Sequence, residues 1–253
     1  MIKHSRFAAT LAFSVVAAAP AVAQEVNEGW RVSVTPYLWV SAVDTKVTDR
    51  SSGQTVKSSA DFGDLLSDLS AVPFIGKGEV QYKRVGVYAD VIYLKLSSKQ
   101  TLDRPLLPPI EAKGDVATTT VTASAFYRVV ESDRLNVDLL GGLRYAKVKL
   151  DLDFQGARVG LSRDASKSGT EPIVGVRATQ RIGSRSSLTG YGDYGGFGGS
   201  TTTWQLYATY NYQWTPKLTA SAGYRYMAIE IDRRNVKTEV DLSGPLLALT
   251  YRF

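Results

Sequence analysis

LNVDLLGGLRY, residues 135–145, is the stretch that decides the fold. Its odd positions are Leu135, Val137, Leu139, Gly141, Leu143 and Tyr145, and its even positions include Asn136, Asp138 and Arg144. A period of two places successive side chains on opposite faces of an extended strand. One face suits hydrocarbon and the other carries ions. Its eleven residues match the roughly 9–11 that a tilted membrane strand needs.

The same alternation recurs outward from this stretch. Trp204, Leu206, Ala208, Tyr210, Tyr212 and Trp214 alternate with Gln205, Tyr207, Thr209, Asn211 and Gln213. Leu218, Ala220, Ala222, Tyr224 and Tyr226 alternate with Thr219, Ser221, Gly223 and Arg225. Near the start, Trp30, Val32, Val34, Leu38 and Val40 alternate with Arg31, Ser33, Thr35 and Ser41. Pro36 lacks a ladder donor and is expected at a bulge or a strand end. Approximate strands at 30–44, 71–84, 86–98, 115–129, 135–148, 171–183, 187–196, 203–214, 217–231 and 239–253 make ten, the second and seventh being weakest. The expected fold is all-β: a single closed antiparallel transmembrane β-barrel of about ten strands, with eight or twelve as alternatives. Only helices and closed barrels satisfy every backbone group in hydrocarbon, and no segment has the 18 or so consecutive apolar residues of a membrane helix.

The connections alternate in length. Arg84–Gly86, Glu131–Arg134, Gly183–Ser186 and Thr215–Lys217 are short. The stretches 45–70, 99–114, 152–170 and 232–238 are longer and polar, and read as loops. In this class short turns face the periplasm and long loops face outside, which puts both termini on the periplasmic side. Trp30, Tyr145, Trp204, Trp214 and Tyr226 are candidates for the two interfacial girdles. Lys147, Lys149, Asp151 and Asp153 continue the parity assigned to lipid. The preferred reading is that the strand has left the bilayer by then; the alternative is a bulge that flips its register.

Residues 1–23 read as a secretory signal peptide: Lys3, His4 and Arg6, then the apolar run Phe7 to Ala19, then Ala21 and Ala23 around Val22 before Gln24. The barrel domain is then 24–253. The full chain carries 30 Lys+Arg against 24 Asp+Glu; losing Lys3 and Arg6 leaves 28 against 24, a net charge of +4. Such a mild, dispersed excess is no nucleic-acid footprint. Absent cysteine excludes disulfides and thiol chemistry, and fits an oxidising compartment.

The chain ends Leu247-Ala248-Leu249-Thr250-Tyr251-Arg252-Phe253. Here it resembles bacterial outer-membrane barrels, whose last strand commonly ends in Phe. That resemblance implies that Tyr251 and Phe253 form the signal read by the barrel-assembly machinery. Thr35-Pro36-Tyr37-Leu38-Trp39, Asp61-Phe62-Gly63-Asp64-Leu65-Leu66-Ser67-Asp68-Leu69 and Val87-Tyr88-Ala89-Asp90-Val91-Ile92-Tyr93-Leu94 look like a group of poorly characterised proteobacterial outer-membrane barrels. In general shape these are similar to the small OmpA-like and OmpW-like barrels. The resemblance implies an outer-membrane location and contact with lipid and lipopolysaccharide, and it carries over no catalytic residue or cofactor.

If apolar positions face lipid, the inward set includes Arg31, Lys77, Glu79, Asp90, Arg128, Asp138, Arg144, Arg177, Asp193, Arg225 and Arg252. Buried charges persist only when paired or wet. A salt-bridged core is preferred to a narrow, slightly basic pore, because ten strands enclose far less than the 16–18 of a porin. Asp61, Asp64 and Asp68, with Phe62, Leu65, Leu66 and Leu69, read as a short amphipathic loop helix; a divalent-cation site or a plug is the sharper alternative. Gly190, Gly192, Gly195, Gly196, Gly198 and Gly199 favour bending and close strand packing over a phosphate loop, since no helix pattern follows. Arg233, Arg234 and Lys237 are candidates for clamping lipopolysaccharide phosphates.

Enzymatic activity is not expected. Hydrolase and acyltransferase barrels of the outer membrane rely on a histidine base, and the only histidine, His4, lies in the leader. A carboxylate pair such as Asp90 with Glu79 is better explained by neighbouring Arg or Lys. The expected role is structural or interactive in the cell envelope, with an unidentified extracellular ligand. The alternatives are a narrow porin-like channel for small solutes or ions and a soluble lipocalin-like barrel.

Overall fold

The computed structural model describes residues 29–60, 74–104, 107–156, 159–197, 199–233 and 236–253. The leader with Ala21 and Ala23, the acidic segment at Asp61, Asp64 and Asp68, and Gly198 and Arg234 lie outside the described residues. Every regular element described is a strand. In chain order these are β1 (Trp30–Trp39), β2 (Ala42–Asp49), β3 (Thr55–Ala60), β4 (Phe74–Tyr82), β5 (Val85–Arg104), β6 (Leu107–Glu131), β7 (Leu135–Gly156), β8 (Val159–Arg181), β9 (Ser186–Gly195), β10 (Thr201–Gln213), β11 (Leu218–Arg233) and β12 (Val236–Arg252). Each neighbour pair is antiparallel, and β1 pairs with β12 to close the sheet.

Twelve segments build ten staves. β1 and β2 both pair with β12 in one unbroken register, Trp39 facing Leu246 and Ala42 facing Ser243. The ladder lapses between them where Val40 meets Pro245; the Val40 amide still donates to the Pro245 carbonyl at 2.9 Å, but proline has no N–H to return. β4 pairs with β1 and β3 with β2, so β3 and β4 form the second stave. β4 pairs with β1 as far as Pro36–Gly76, and β3 with β2 as far as Val43–Ala60.

Pro36 sits inside β1 rather than at a bulge or an end. It pairs with Gly76 of β4, and the β1–β12 pairing skips positions 35 and 36 without a shift. At that gap the Thr35 and Thr250 hydroxyls bond to each other at 2.9 Å, tying the seam by side chains.

The stretches 99–114 and 152–170 are not loops. β5 and β6 pair out to Arg104 and Leu107, and β7 and β8 pair out to Gly156 and Val159. These four strands have 20–25 residues, about twice what a bilayer needs. One wall of the barrel is therefore tall. The predicted 45–70 and 232–238 loops likewise contain the β2–β3 hairpin and the ends of β11 and β12. β7 holds constant register with β8 from Leu135 to Gly156, so no bulge intervenes at Lys147 and Lys149, and the strand rises past the apolar band.

That band is marked by exposed Leu139, Leu143, Val174, Val176, Leu206 and Leu247. At its upper edge Trp204 stacks on Tyr226 (centroids 4.8 Å apart), and at its lower edge Trp30 meets Tyr82 (4.8 Å). Trp204 and Trp214 lie ten residues apart on one stave. At about 3.3 Å per residue and a tilt near 40°, that is roughly 25 Å, the height expected of the apolar band. In the glycine-rich segment, Gly196 takes the left-handed backbone (φ 119°) at the turn into β10. A Cβ on Gly195 would stand 2.8 Å from the Ile173 side chain, so close strand packing is what this position requires.

Candidate functional site

The lumen divides into three levels. The middle one is built by in-register neighbours. Asp138 of β7 lies directly opposite Arg128 of β6 and Arg177 of β8. Its carboxylate accepts from Arg128 Nε at 2.7 Å and from Arg177 Nε at 3.0 Å. Arg177 also reaches across to Glu79, donating from both terminal nitrogens at 2.5 and 3.1 Å. Such fork geometry is among the strongest polar contacts available to a side chain.

A second set spans the barrel. Arg144 donates to both oxygens of Asp193 at 2.7 and 2.5 Å, and to Thr122 and Thr203. Asp193 also accepts from Tyr191 at 2.6 Å and from Gln205 at 2.5 Å. The Gln205 carbonyl oxygen accepts from Arg225 Nε at 3.0 Å. Arg225 continues to Asp90 at 3.1 Å and to the Tyr37 hydroxyl at 2.8 Å, and Tyr37 donates to Asp90 at 2.5 Å. The Arg144 and Asp193 side chains are 0% exposed. Four guanidinium groups thus meet four carboxylates, Glu79, Asp90, Asp138 and Asp193, so the charges within these contacts balance.

Above it, on the same inward positions, the lining turns apolar: Trp39, Ile75, Ile92, Met227, Ile229 and Leu242 form one buried cluster. Arg225 joins the levels, its guanidinium 5.0 Å from the Trp39 ring. Below the network lies a cavity of about 690 Å3, lined by Arg31, Thr35, Lys77, Thr179, Arg181, Tyr207, Asn211 and Arg252 among others. It opens at the end that carries the short turns and the C-terminus.

Of the predicted inward charges, Glu79, Asp90, Arg128, Asp138, Arg144, Arg177, Asp193 and Arg225 meet in these contacts. Lys77, Arg31 and Arg252 do not. Lys77 lines the cavity with its ammonium 5.9 Å from the Tyr88 ring, and Arg31 stands at the mouth, 3.9 Å from Glu131. Glu79 and Asp90 are each taken by an arginine, Arg177 and Arg225. Lys237 lies between Glu230 and Glu239 at 3.1 and 2.9 Å. Tyr251 and Phe253 lie exposed at the turn end with rings 5.1 Å apart, and the Phe253 amide donates to Val32.

Sequence reasoning passed over Tyr37, Tyr191 and Tyr88, whose hydroxyl bonds to that of Tyr191 at 2.5 Å, as members of the network, and the apolar upper level. Parity was the available signal: Met227, Ile229 and Ile231 share the face of Arg225.

No protein-family model matches the chain, and no curated protein matches it in sequence. Among solved structures it is similar to the outer-membrane protease OmpT from Escherichia coli, with a TM-score of 0.58 at 10% identity over 90% of this chain and 98% of that one. It is more loosely similar to the translocator domain of the autotransporter NalP from Neisseria meningitidis (TM-score 0.39, 14% identity, 89% and 88% covered). The Ralstonia pickettii toluene transporter TbuX is comparable (TM-score 0.40, 10% identity, 89% and 90% covered). The first likeness, with the closed ten-stave sheet, shows the fold of a Gram-negative outer-membrane β-barrel.

Proposed function

We propose that the protein is a resident of the bacterial outer membrane, exported through cleavage after Ala23, whose barrel is closed at mid-height and acts as a structural or interaction element of the envelope without catalysis. One observation carries the reading: the Arg144–Asp193 pair at the middle level is shielded completely. A water-filled pore would hydrate those charges, and the cluster above them is predominantly apolar. The absence of histidine beyond His4 supports a non-enzymatic role. On this reading the exposed valines, leucines and aromatic belts contact lipid and lipopolysaccharide, Tyr251 and Phe253 present the assembly signal, and the tall β5–β8 wall stands outside the cell where a ligand can reach it.

The test is conductance of the refolded, heat-modifiable protein in a planar bilayer. Silence is the expected outcome. Discrete, reproducible steps would replace this reading with a narrow channel.

A further inference from the structure

We propose that the turn-end chamber is a binding site for a small, multiply charged oxyanion of the phosphate type. Nine cationic side chains line it against five carboxylates, an excess of four positive charges in a concave, partly enclosed space. Low-dielectric walls of one sign concentrate counter-ions. The deep carboxylates are already engaged: Asp138, Glu79 and Asp90 hold Arg128, Arg177 and Arg225. Two donors at that depth are left over. Lys77 makes no ion pair within 4 Å among the described residues, and Glu79, whose charge it feels, is forked to Arg177. The Tyr207 hydroxyl makes no hydrogen bond among the described residues, its ring stacked on Tyr191 at 4.6 Å.

The mouth repeats the pattern. Arg252 faces Ser33 across the β1–β12 seam, and Arg31 lies on the same inward face of β1 two residues before it. Arg181 lines the mouth from β8. Arg181 and Arg252 make no ion pair among the described residues, and the Arg31–Glu131 contact is long at 3.9 Å. Between mouth and depth the wall is hydroxyl and amide: Ser33, Thr35, Thr179, Thr209 and Asn211. Guanidinium, ammonium and hydroxyl donors around one space are the set that recognises phosphate oxygens. The volume, about 690 Å3, is that of a small-molecule site. On the closed-lumen reading the chamber is blind, so ligand enters and leaves by the turn end.

The experiment is calorimetric titration of the refolded full barrel, in zwitterionic detergent at low ionic strength, with inorganic phosphate and with glucose 6-phosphate. We expect one saturable site that weakens in 0.5 M NaCl. Tighter binding of the sugar phosphate would mean that the polar wall reads an organic portion; preference for phosphate would make the free ion the ligand. Lys77→Gln is expected to lower affinity at least about fivefold, the scale of one charge-assisted hydrogen bond. Lys149→Gln, exposed on the outer face of β7, is expected to leave it unchanged. Should Lys77→Gln not refold, Arg181→Gln carries the same expectation. Absence of saturable heat with both probes, or equal loss in Lys149→Gln, overturns the proposal. Bilayer conductance is read separately: steps together with saturable binding would end the closed-lumen reading and leave the anion site standing.

Discussion

Arg225 and Met227 stand two residues apart on one strand, point into the same lumen, and live in opposite chemistries. Around Arg225 every charge is matched and every guanidinium is fixed by several acceptors. Around Met227 the lining is Ile229, Val240 and Leu242, packed as in a soluble core. A strand period of two decides which face a side chain takes, and it is indifferent to whether that face is polar. The interior of a narrow barrel is filled by side chains in either manner. The two levels differ in what a single substitution does. An apolar layer loses packing in proportion to volume removed, whereas a paired layer loses its balance at once.

The sharpest way to break the comparison is at Arg144. Arg144→Met leaves Asp193 buried with Tyr191 and Gln205 but without its cation. The expected loss is about 3–5 kcal/mol, the range for orphaning one member of a buried pair. Adding Asp193→Leu to Arg144→Met should recover much of that, because removing both ions removes the stranded charge. Urea unfolding of the protein refolded into vesicles measures both. A double variant no more stable than Arg144→Met would mean that the pair itself, and not the avoidance of an unpaired charge, stabilises the middle level.

At the apolar level the corresponding change is Leu242→Ala. Leu242 is 1% exposed and faces Val43 across the β12–β2 pairing. The expected loss is about 2–4 kcal/mol, set by the cavity left behind. The same urea series checks it. A loss below about 1 kcal/mol would show that this level is loosely filled, and with it the lumen's upper closure would fail.

The two levels were unequally legible in the sequence. Facing was readable: the alternation at Leu135–Tyr145 and Trp204–Trp214 assigns inward and outward sides that the structure keeps. The pairs Arg128–Asp138 and Asp138–Arg177 were not, because the turn at 132–134 would oppose Val129 to Asp138 without the register shift between Arg128 and Val130, and β7 and β8 are joined within 152–170, which reads as loop. Arg144 with Asp193 was not, because the contact crosses the lumen between strands that are not neighbours. The apolar upper level was hidden by the assumption that apolar side chains face lipid. Strand ends were hidden for a different reason. In the outer part of β5 and β6 the apolar–polar alternation of the sequence lapses while the backbone ladder continues, and 99–114 reads as loop although Lys99 still pairs with Lys113.

The smallest effect belongs outside the membrane, where charges are paired but wet. At the loop end Lys237 contacts Glu239 and Glu230, and Lys46 contacts Glu239 at 3.1 Å. The hydrogen bond from Lys237 holds the Glu239 carboxyl below its ordinary value of 4.5, and the bonds to Glu239 and Glu230 raise the Lys237 ammonium above 10.5. A lowered carboxylate contributes stability that is present above its unfolded value and fades as pH falls through the folded one. A raised ammonium contributes stability that is complete below its unfolded value and fades as pH rises through the folded one. The cluster therefore supports the β11–β12 hairpin between about pH 5 and 10 and weakens outside that window. Exposure limits it to a few tenths of a kcal/mol, and salt screens it further. Amide exchange in β11–β12 is the measurement: Glu239→Gln should speed exchange slightly at pH 7 in low salt, and the effect should fade as the pH is lowered. A Glu239→Gln effect as large as that of Leu242→Ala would mean that the wet pairs, like the dry ones, act as a unit.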